Sequence, residues 1–256
     1  MRFTSTTSAD GVTEQSFTLN EIPGVLWTPD HAIGPRPLIA MGHGGGQHKR
    51  APGITARAVR FAAEGGFAVV AIDAPSHGDR PQDAAFNRVR EELRAGMAAG
   101  RDPAGREPAG LVAAMHDLLA GQAVADWQQV ITAVQELEHV DNGPVGYWGV
   151  SMGTGLGVPL LAAEPRIGAA VLGLVGLPGL AEAAAKVTVP VQFLLQWDDE
   201  LVPRDEGLAL FGALASAEKT LHANLGGHRH IPTFEIDDAR QFFSRHLSPD
   251  RPPLRT

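Results

Sequence analysis

The chain predicts an α/β fold with a mostly parallel central sheet and helices on both faces. Short continuous apolar runs recur along it and alternate with longer segments of helical periodicity. A length of 256 residues with 44% apolar content supports one substantial core. No internal repeat or long low-complexity tract breaks the alternation.

The elements follow in order. "SFTL" and "GVLWT", within residues 16–28, read as short antiparallel strands about a turn at Pro23-Gly24. "RPLIAMGH" is a short buried strand, and the helix through "TARAVRFAAEG" stops at Gly65-Gly66. "FAVVAID" and "GPVGYWGV" are the next strands, followed by "IGAAVLGL", "VPVQFLLQW" and finally "KTLHANL". Helices are expected near residues 123–140, 152–163, 179–186, 204–215 and 232–247.

Residues 78–122 depart from this rhythm. They open charged and proline-punctuated, then return to apolar helix in "GLVAAMHDLLAG". We read them as a helical excursion of a single domain spanning 1–256, beside the carboxyl edge of the sheet where open α/β folds bind ligands. The connection "GLVGLPGLAEAAAKVTVP" has room for one short helix, so no large cap domain is expected. The excursion is then the cover of the cleft. Met97, Leu111, Met115 and Leu118 are candidates to line an acyl or alcohol pocket, with core packing as the commoner role of such residues.

Composition excludes several classes. A net charge of −8 argues against a nucleic-acid partner, whose phosphates need clustered Lys and Arg. With no cysteine, disulfides, thiolate catalysis and cysteine-ligated metals are ruled out. The start "MRFTSTTSADG" is polar and lacks an apolar signal core, so a cytoplasmic protein is expected. No uncharged apolar run reaches the roughly 18 residues of a membrane span. The His-containing segments lack metal-ligand spacing; no metal and no cofactor are expected, and the partner is a small-molecule substrate.

The chemistry concentrates in "GYWGVSMGTG". Gly149-Val150-Ser151-Met152-Gly153 fits G-x-S-x-G, a sharp strand-to-helix bend that exposes a serine oxygen. Small residues flank it because side chains would clash across the bend. The helix that follows brings free N–H groups toward a developing anion. A serine hydroxyl needs a base, and the base needs an acid. Both appear downstream at successive strand ends: Asp198 and Asp199 in "QWDDELVP", then His228 in "NLGGHRH". Alone, Asp199 reads more readily as a helix N-terminal cap or a solvated loop residue, and His228 as a surface loop histidine; the ordered set favours a triad. "MGHGGGQHK" ends the first buried strand, and its glycines let backbone approach a substrate. Acyl transfer needs two N–H donors on the oxyanion, here Met152 and a glycine of this loop, Gly45 first and Gly46 second. A phosphate cradle is the alternative for such a loop, but G-x-x-x-x-G-K-[ST] is absent. Lys49, Arg50 and Arg80 are read as a solvated basic edge, or else as a grip on a substrate carboxylate.

The ordered motifs "HGGGQHK", "DAPSHGDR", "GVSMG", "DDELVP" and "GGH" span residues 43–228. Together they resemble the α/β-hydrolase-fold serine hydrolases, most closely the compact dienelactone-hydrolase-like and prolyl-oligopeptidase-like esterase branches. The resemblance implies Ser151 as nucleophile, Asp199 as acid, His228 as base, and Gly45 with Met152 as the oxyanion hole. Its D-x-x-V-P pattern fits Asp199-Glu200-Leu201-Val202-Pro203, not Asp198. Hydrolysis of carboxylic esters is the expected activity, thioesters or lactones included. The alternatives are a peptidase or amidase acting on short peptides, and a non-catalytic binding protein of the same fold.

Overall fold

A computed structural model describes residues 1–30, 33–98 and 108–247 of the chain. It holds one nine-stranded sheet ordered β1-β2-β3-β5-β4-β6-β7-β8-β9. Strands β1 (Arg2–Ala9), β2 (Val12–Leu19) and β3 (Ile22–Pro29) form an antiparallel meander. β3 then pairs antiparallel with β5 (Ala68–Ile72). From β5 the sheet runs parallel through β4 (Leu38–Met41), β6 (Val145–Trp148), β7 (Ile167–Gly173), β8 (Val191–Gln196) and β9 (Lys219–Asn224).

The meander corrects the sequence reading at two points. Pro23-Gly24 is not a turn but lies inside β3, where Gly24 sits opposite Phe17. A Cβ on Gly24 would enter the Phe17 ring, so ring packing selects this glycine. The reversal falls three residues earlier, at Asn20-Glu21 between Leu19 and Ile22, with Asn20 at φ 53°. β1 is a full strand that the apolar pattern did not reveal, closed by the Asp10-Gly11 turn with both φ positive.

Strands β4, β5, β6 and β8 are buried along their length, whereas β9 at the sheet edge is partly exposed, and alternate residues feed two layers. Val69, Ile39, Met41, Trp148 and Val171 pack beneath α1 (Pro52–Gly65) and α7 (Phe234–Leu247). Val70, Ala40, Tyr147, Leu172 and Phe193 pack against α3 (Pro108–Gln135), α4 (Met152–Ala163) and α6 (Arg204–Ala213). α1 begins with Pro52 in its first turn and ends at Gly66, φ 68°, as a glycine C-cap requires.

The excursion holds α2 (Ala84–Ala98) and the first half of α3. The helix expected at 123–140 and the apolar stretch before it are one helix of 28 residues, ending at Gln135. Residues 99–107 and the Met97 side chain lie outside what the structure describes. Of the other pocket candidates, Leu111 is buried, Met115 packs on the small cluster of Phe86, Leu119, Met152 and Leu156, and Leu118 faces outward. Between β7 and β8 lies only α5 (Ala181–Ala184), so no large cap is inserted there. No helix among the described residues is long and apolar enough to cross a membrane.

Candidate active site

The site lies along the carboxyl ends of the parallel strands, each contributing the loop that follows it. After β6 the chain turns sharply into α4 through Ser151, whose φ of 57° and ψ of −125° are not those of an ordinary L-residue. A Cβ on Gly149 would lie 2.7 Å from the Gly153 carbonyl oxygen, and one on Gly153 would lie 3.1 Å from that of Gly42. The bend therefore closes only with glycines on both sides. The Ser151 N–H donates to the Gly173 carbonyl at 2.9 Å. The buried Thr154 hydroxyl donates to Gly149 O at 2.7 Å and accepts from Gly173 N–H at 2.8 Å. These bonds bolt the bend to the end of β7.

The serine faces a histidine. His228 Nε2 accepts from the Ser151 hydroxyl at 3.0 Å, and its Nδ1–H donates to Asp199 Oδ2 at 2.8 Å. The other carboxylate oxygen, Oδ1, accepts from the amides of Leu201 at 2.8 Å and Val202 at 2.9 Å. Burial of Asp199 is the largest influence and opposes its charge. The hydrogen bonds from His228 and the two amides together outweigh it and hold the carboxyl below its ordinary value. Asp199 thus stays ionised opposite the imidazole.

Asp198 does not reach the ring. Its Oδ2 accepts the Gly226 N–H at 3.1 Å, and its own N–H donates to the Gly226 carbonyl at 3.1 Å. Glu200 accepts the His228 backbone N–H at 2.9 Å. Three consecutive acids after β8 thus hold three different points of the loop after β9. Gln196 adds a bond to the His230 carbonyl at 2.8 Å. Only the pairing of the two loops assigns each carboxylate of "DDE" its partner.

The glycine loop after β4 packs beside the start of α4. Gly45 lies against Met152, with Met152 Cβ 3.9 Å from where a Gly45 Cβ would be. Gly46, at φ 71°, has open space where a Cβ would stand. Gln47 N–H donates to the Gly44 carbonyl at 3.1 Å and closes this turn. Met152 is the first residue of α4, where an N–H has no intrahelical acceptor.

His43 was not singled out in the sequence, yet it shapes the loop. Its Nδ1–H donates to the Gly44 carbonyl at 2.9 Å, and its Nε2 accepts the Ala74 N–H at 3.0 Å. Burial pushes its pKa down to about 4, so it is neutral and its tautomer is set by these two bonds. "DAPSHGDR" forms the loop after β5. The buried Asp73 accepts the Lys49 N–H at 2.8 Å, Lys49 Nζ at 2.6 Å and the Asp79 N–H at 2.9 Å.

Two cations of the expected basic edge, Lys49 and Arg80, are buried in ion pairs, while the Arg50 side chain is 37% exposed. Lys49 is buried between Asp73 and Asp79, each 2.6 Å away. Arg80 is buried against Asp126 at 2.9 Å, and Arg50 pairs with Glu14 and Ser16. The charges in these motifs fix loops to one another.

A strained serine, an imidazole and an oriented carboxylate at the carboxyl edge of a mostly parallel sheet define a nucleophile-elbow hydrolase. The chain belongs to the α/β-hydrolase-fold esterases and is a carboxylic ester hydrolase. It is 32% identical to a cold-adapted esterase from an Arctic intertidal metagenomic library, over 97% of this chain and 100% of that one, with a TM-score of 0.77. Acetyl xylan esterase 1 from a Thermoanaerobacterium species matches at 17% identity over 96% and 88% of the two chains, TM-score 0.70. An S-formylglutathione hydrolase from Agrobacterium tumefaciens matches at 16% over 97% and 100%, TM-score 0.69. These last two share the fold alone. No protein-family profile and no curated protein matches the chain.

Proposed function

We propose that the enzyme hydrolyses carboxylic esters through an acyl-enzyme on Ser151, with His228 as general base and acid and Asp199 as its orienting carboxylate. The observation that carries this reading is the continuous relay from Ser151 Oγ through His228 to Asp199, at 3.0 and 2.8 Å. His228 Nε2 takes the hydroxyl proton as Oγ attacks the ester carbonyl. Asp199 stabilises the imidazolium that forms. The imidazolium then protonates the departing alkoxide, and a water activated by the same nitrogen releases the acid and frees Ser151.

The tetrahedral oxyanion is received by the N–H of Met152 and that of Gly45, the loop glycine that lies against it. Gly46 is the second candidate, since nothing described lies within 4 Å of its Cβ position while Gly45 adjoins Met152. Thioesters and lactones present the same carbonyl to the same groups and fall within the proposed range. No step calls on a metal or cofactor.

A fluorophosphonate probe tests the covalent step. It should label the parent protein and not Ser151→Ala, with turnover of a p-nitrophenyl ester reduced on the order of 10⁴-fold or more. Undiminished turnover by the purified variant would contradict the reading. Ester and amide substrates with matched acyl groups separate esterase from peptidase action.

A further inference from the structure

We propose that Glu200 is a positioning residue for the base. It grips the His228 peptide so that the ring spans Ser151 and Asp199 at once. The inference rests on the triad proposed above and concerns a residue outside it.

The loop between β9 and α7 is held at several points, but its bonds differ in what they fix. At one end Asp198 holds Gly226, by two bonds of 3.1 Å. At the other, Gln196 holds the His230 carbonyl at 2.8 Å. Within the loop, His230 N–H bonds the Gly227 carbonyl at 2.9 Å. Among the described residues, the acceptor for the His228 N–H itself is Glu200 Oε2 at 2.9 Å. This bond sits at the one peptide from which the catalytic ring hangs.

Position at that peptide matters because a histidine ring has only two side-chain torsions. With the backbone fixed, one ring orientation satisfies both Nδ1 and Nε2. A shift of about 1 Å in the peptide breaks one bond or the other, a displacement of the size that costs ~10²-fold in rate. The carboxylate is well suited to the task. It is a charged acceptor for a neutral donor, and that bond is the largest influence holding Glu200 below the ordinary glutamate range.

A second observation points to the same contact. A Cβ at Gly227 would collide with Glu200 Oε2. Gly227 does not have the positive φ of its neighbour Gly226, so what a Cβ there meets is the Glu200 carboxylate, which it would push off the His228 peptide, rather than a backbone restriction. The second glycine of "GGH" is therefore room for Glu200.

Steady-state kinetics on a p-nitrophenyl ester, with melting temperatures and the low-field proton NMR signal of the His228–Asp199 hydrogen bond, test the assignment. Glu200→Ala should lower kcat roughly 10–100-fold with KM little changed, and should broaden that signal. Glu200→Gln keeps an acceptor oxygen and should restore most of both. Gly227→Ala should impair the parent but add nothing in the Glu200→Ala background, because both changes break one contact. The proposal is overturned if Glu200→Ala retains full kcat, or if Glu200→Gln is as impaired as Glu200→Ala with a matching loss of melting temperature. Ser151→Ala, run alongside, separates the two readings. If it is inactive while Glu200→Ala is fully active, only the Glu200 assignment falls; if it is active, the triad falls and this proposal with it.

Discussion

Two adjacent aspartates make the residue scale a test of register. Neighbouring side chains at a strand end point in different directions, and here Asp199 meets the imidazole while Asp198 meets the Gly226 backbone. Asp199→Asn removes the charge that stabilises the imidazolium and presents the wrong hydrogen-bond partner to Nδ1–H. It should cost about 10²–10⁴-fold in kcat. Asp198→Asn keeps an acceptor for Gly226 and should cost roughly tenfold or less. Kinetics of the two variants at matched melting temperature decide it, and a larger loss for Asp198→Asn would reverse the assignment. The sequence carried this site well at the residues whose chemistry is specific. Ser151, Asp199 and His228 stand in an order and at strand ends that few other arrangements share. It did not carry His43 or Thr154, because a lone histidine or threonine beside glycines has no spacing signal. Their roles appear only when Ala74 and Gly173 arrive from other strands.

At the scale of elements, the same divide separates what local pattern specifies from what partners specify. β4 to β8 and helices α1, α4, α6 and α7 were legible because each apolar run or stripe reports its own burial, whereas the charged, proline-punctuated α2 segment was read only as part of an excursion. β1 was not, since "RFTSTTSA" has no apolar alternation and every residue is exposed. It is a strand because β2 pairs with it, the hairpin being set by Asp10-Gly11. Helix α3 was divided because its hydrophobicity wraps around it rather than forming one stripe. Its packing on α4 gives an element-scale prediction. A Cβ on Gly155 would run into the His116 ring, so α3 and α4 approach closely there because residue 155 is glycine. Gly155→Ala should destabilise the fold by about 1–3 kcal/mol through overpacking. Gly155→Ala combined with His116→Ala should recover part of that loss. Urea unfolding of the single and double variants measures the coupling, and simple additivity would show that the contact is not tight.

At the scale of the whole molecule, buried histidines set the response to acid. Burial lowers His43 and His116 to about 4 and lowers His77 as well. A histidine with a folded pKa below its unfolded value near 6.5 binds its proton more readily in the unfolded chain. Stability is therefore full above about 6.5 and falls as pH drops toward 4, each of the two deeper shifts contributing on the order of 3 kcal/mol. Asp199, also lowered, acts in the same direction at more acid pH. Melting temperature should decline steeply between pH 7 and pH 4.5, and the slope should be shallower in His116→Leu. An unchanged slope would mean that His116 takes up no proton on unfolding in this range.

The backbone angles of Ser151 also bear on what this fold gives up in order to work. A φ of 57° with a ψ of −125° suits glycine and disfavours every residue with a Cβ, at a cost of about 1–3 kcal/mol. Ser151→Ala keeps that Cβ, whereas Ser151→Gly removes it. Both variants lack the Ser151 hydroxyl, so their difference reads the backbone. Ser151→Gly should melt several degrees above Ser151→Ala, and the reverse order would show that the bend is relaxed. With relief of that size and the proposed role of Ser151, a more stable sequence for this backbone is one that cannot turn over an ester, and selection for thermal tolerance alone would drift toward an inert protein.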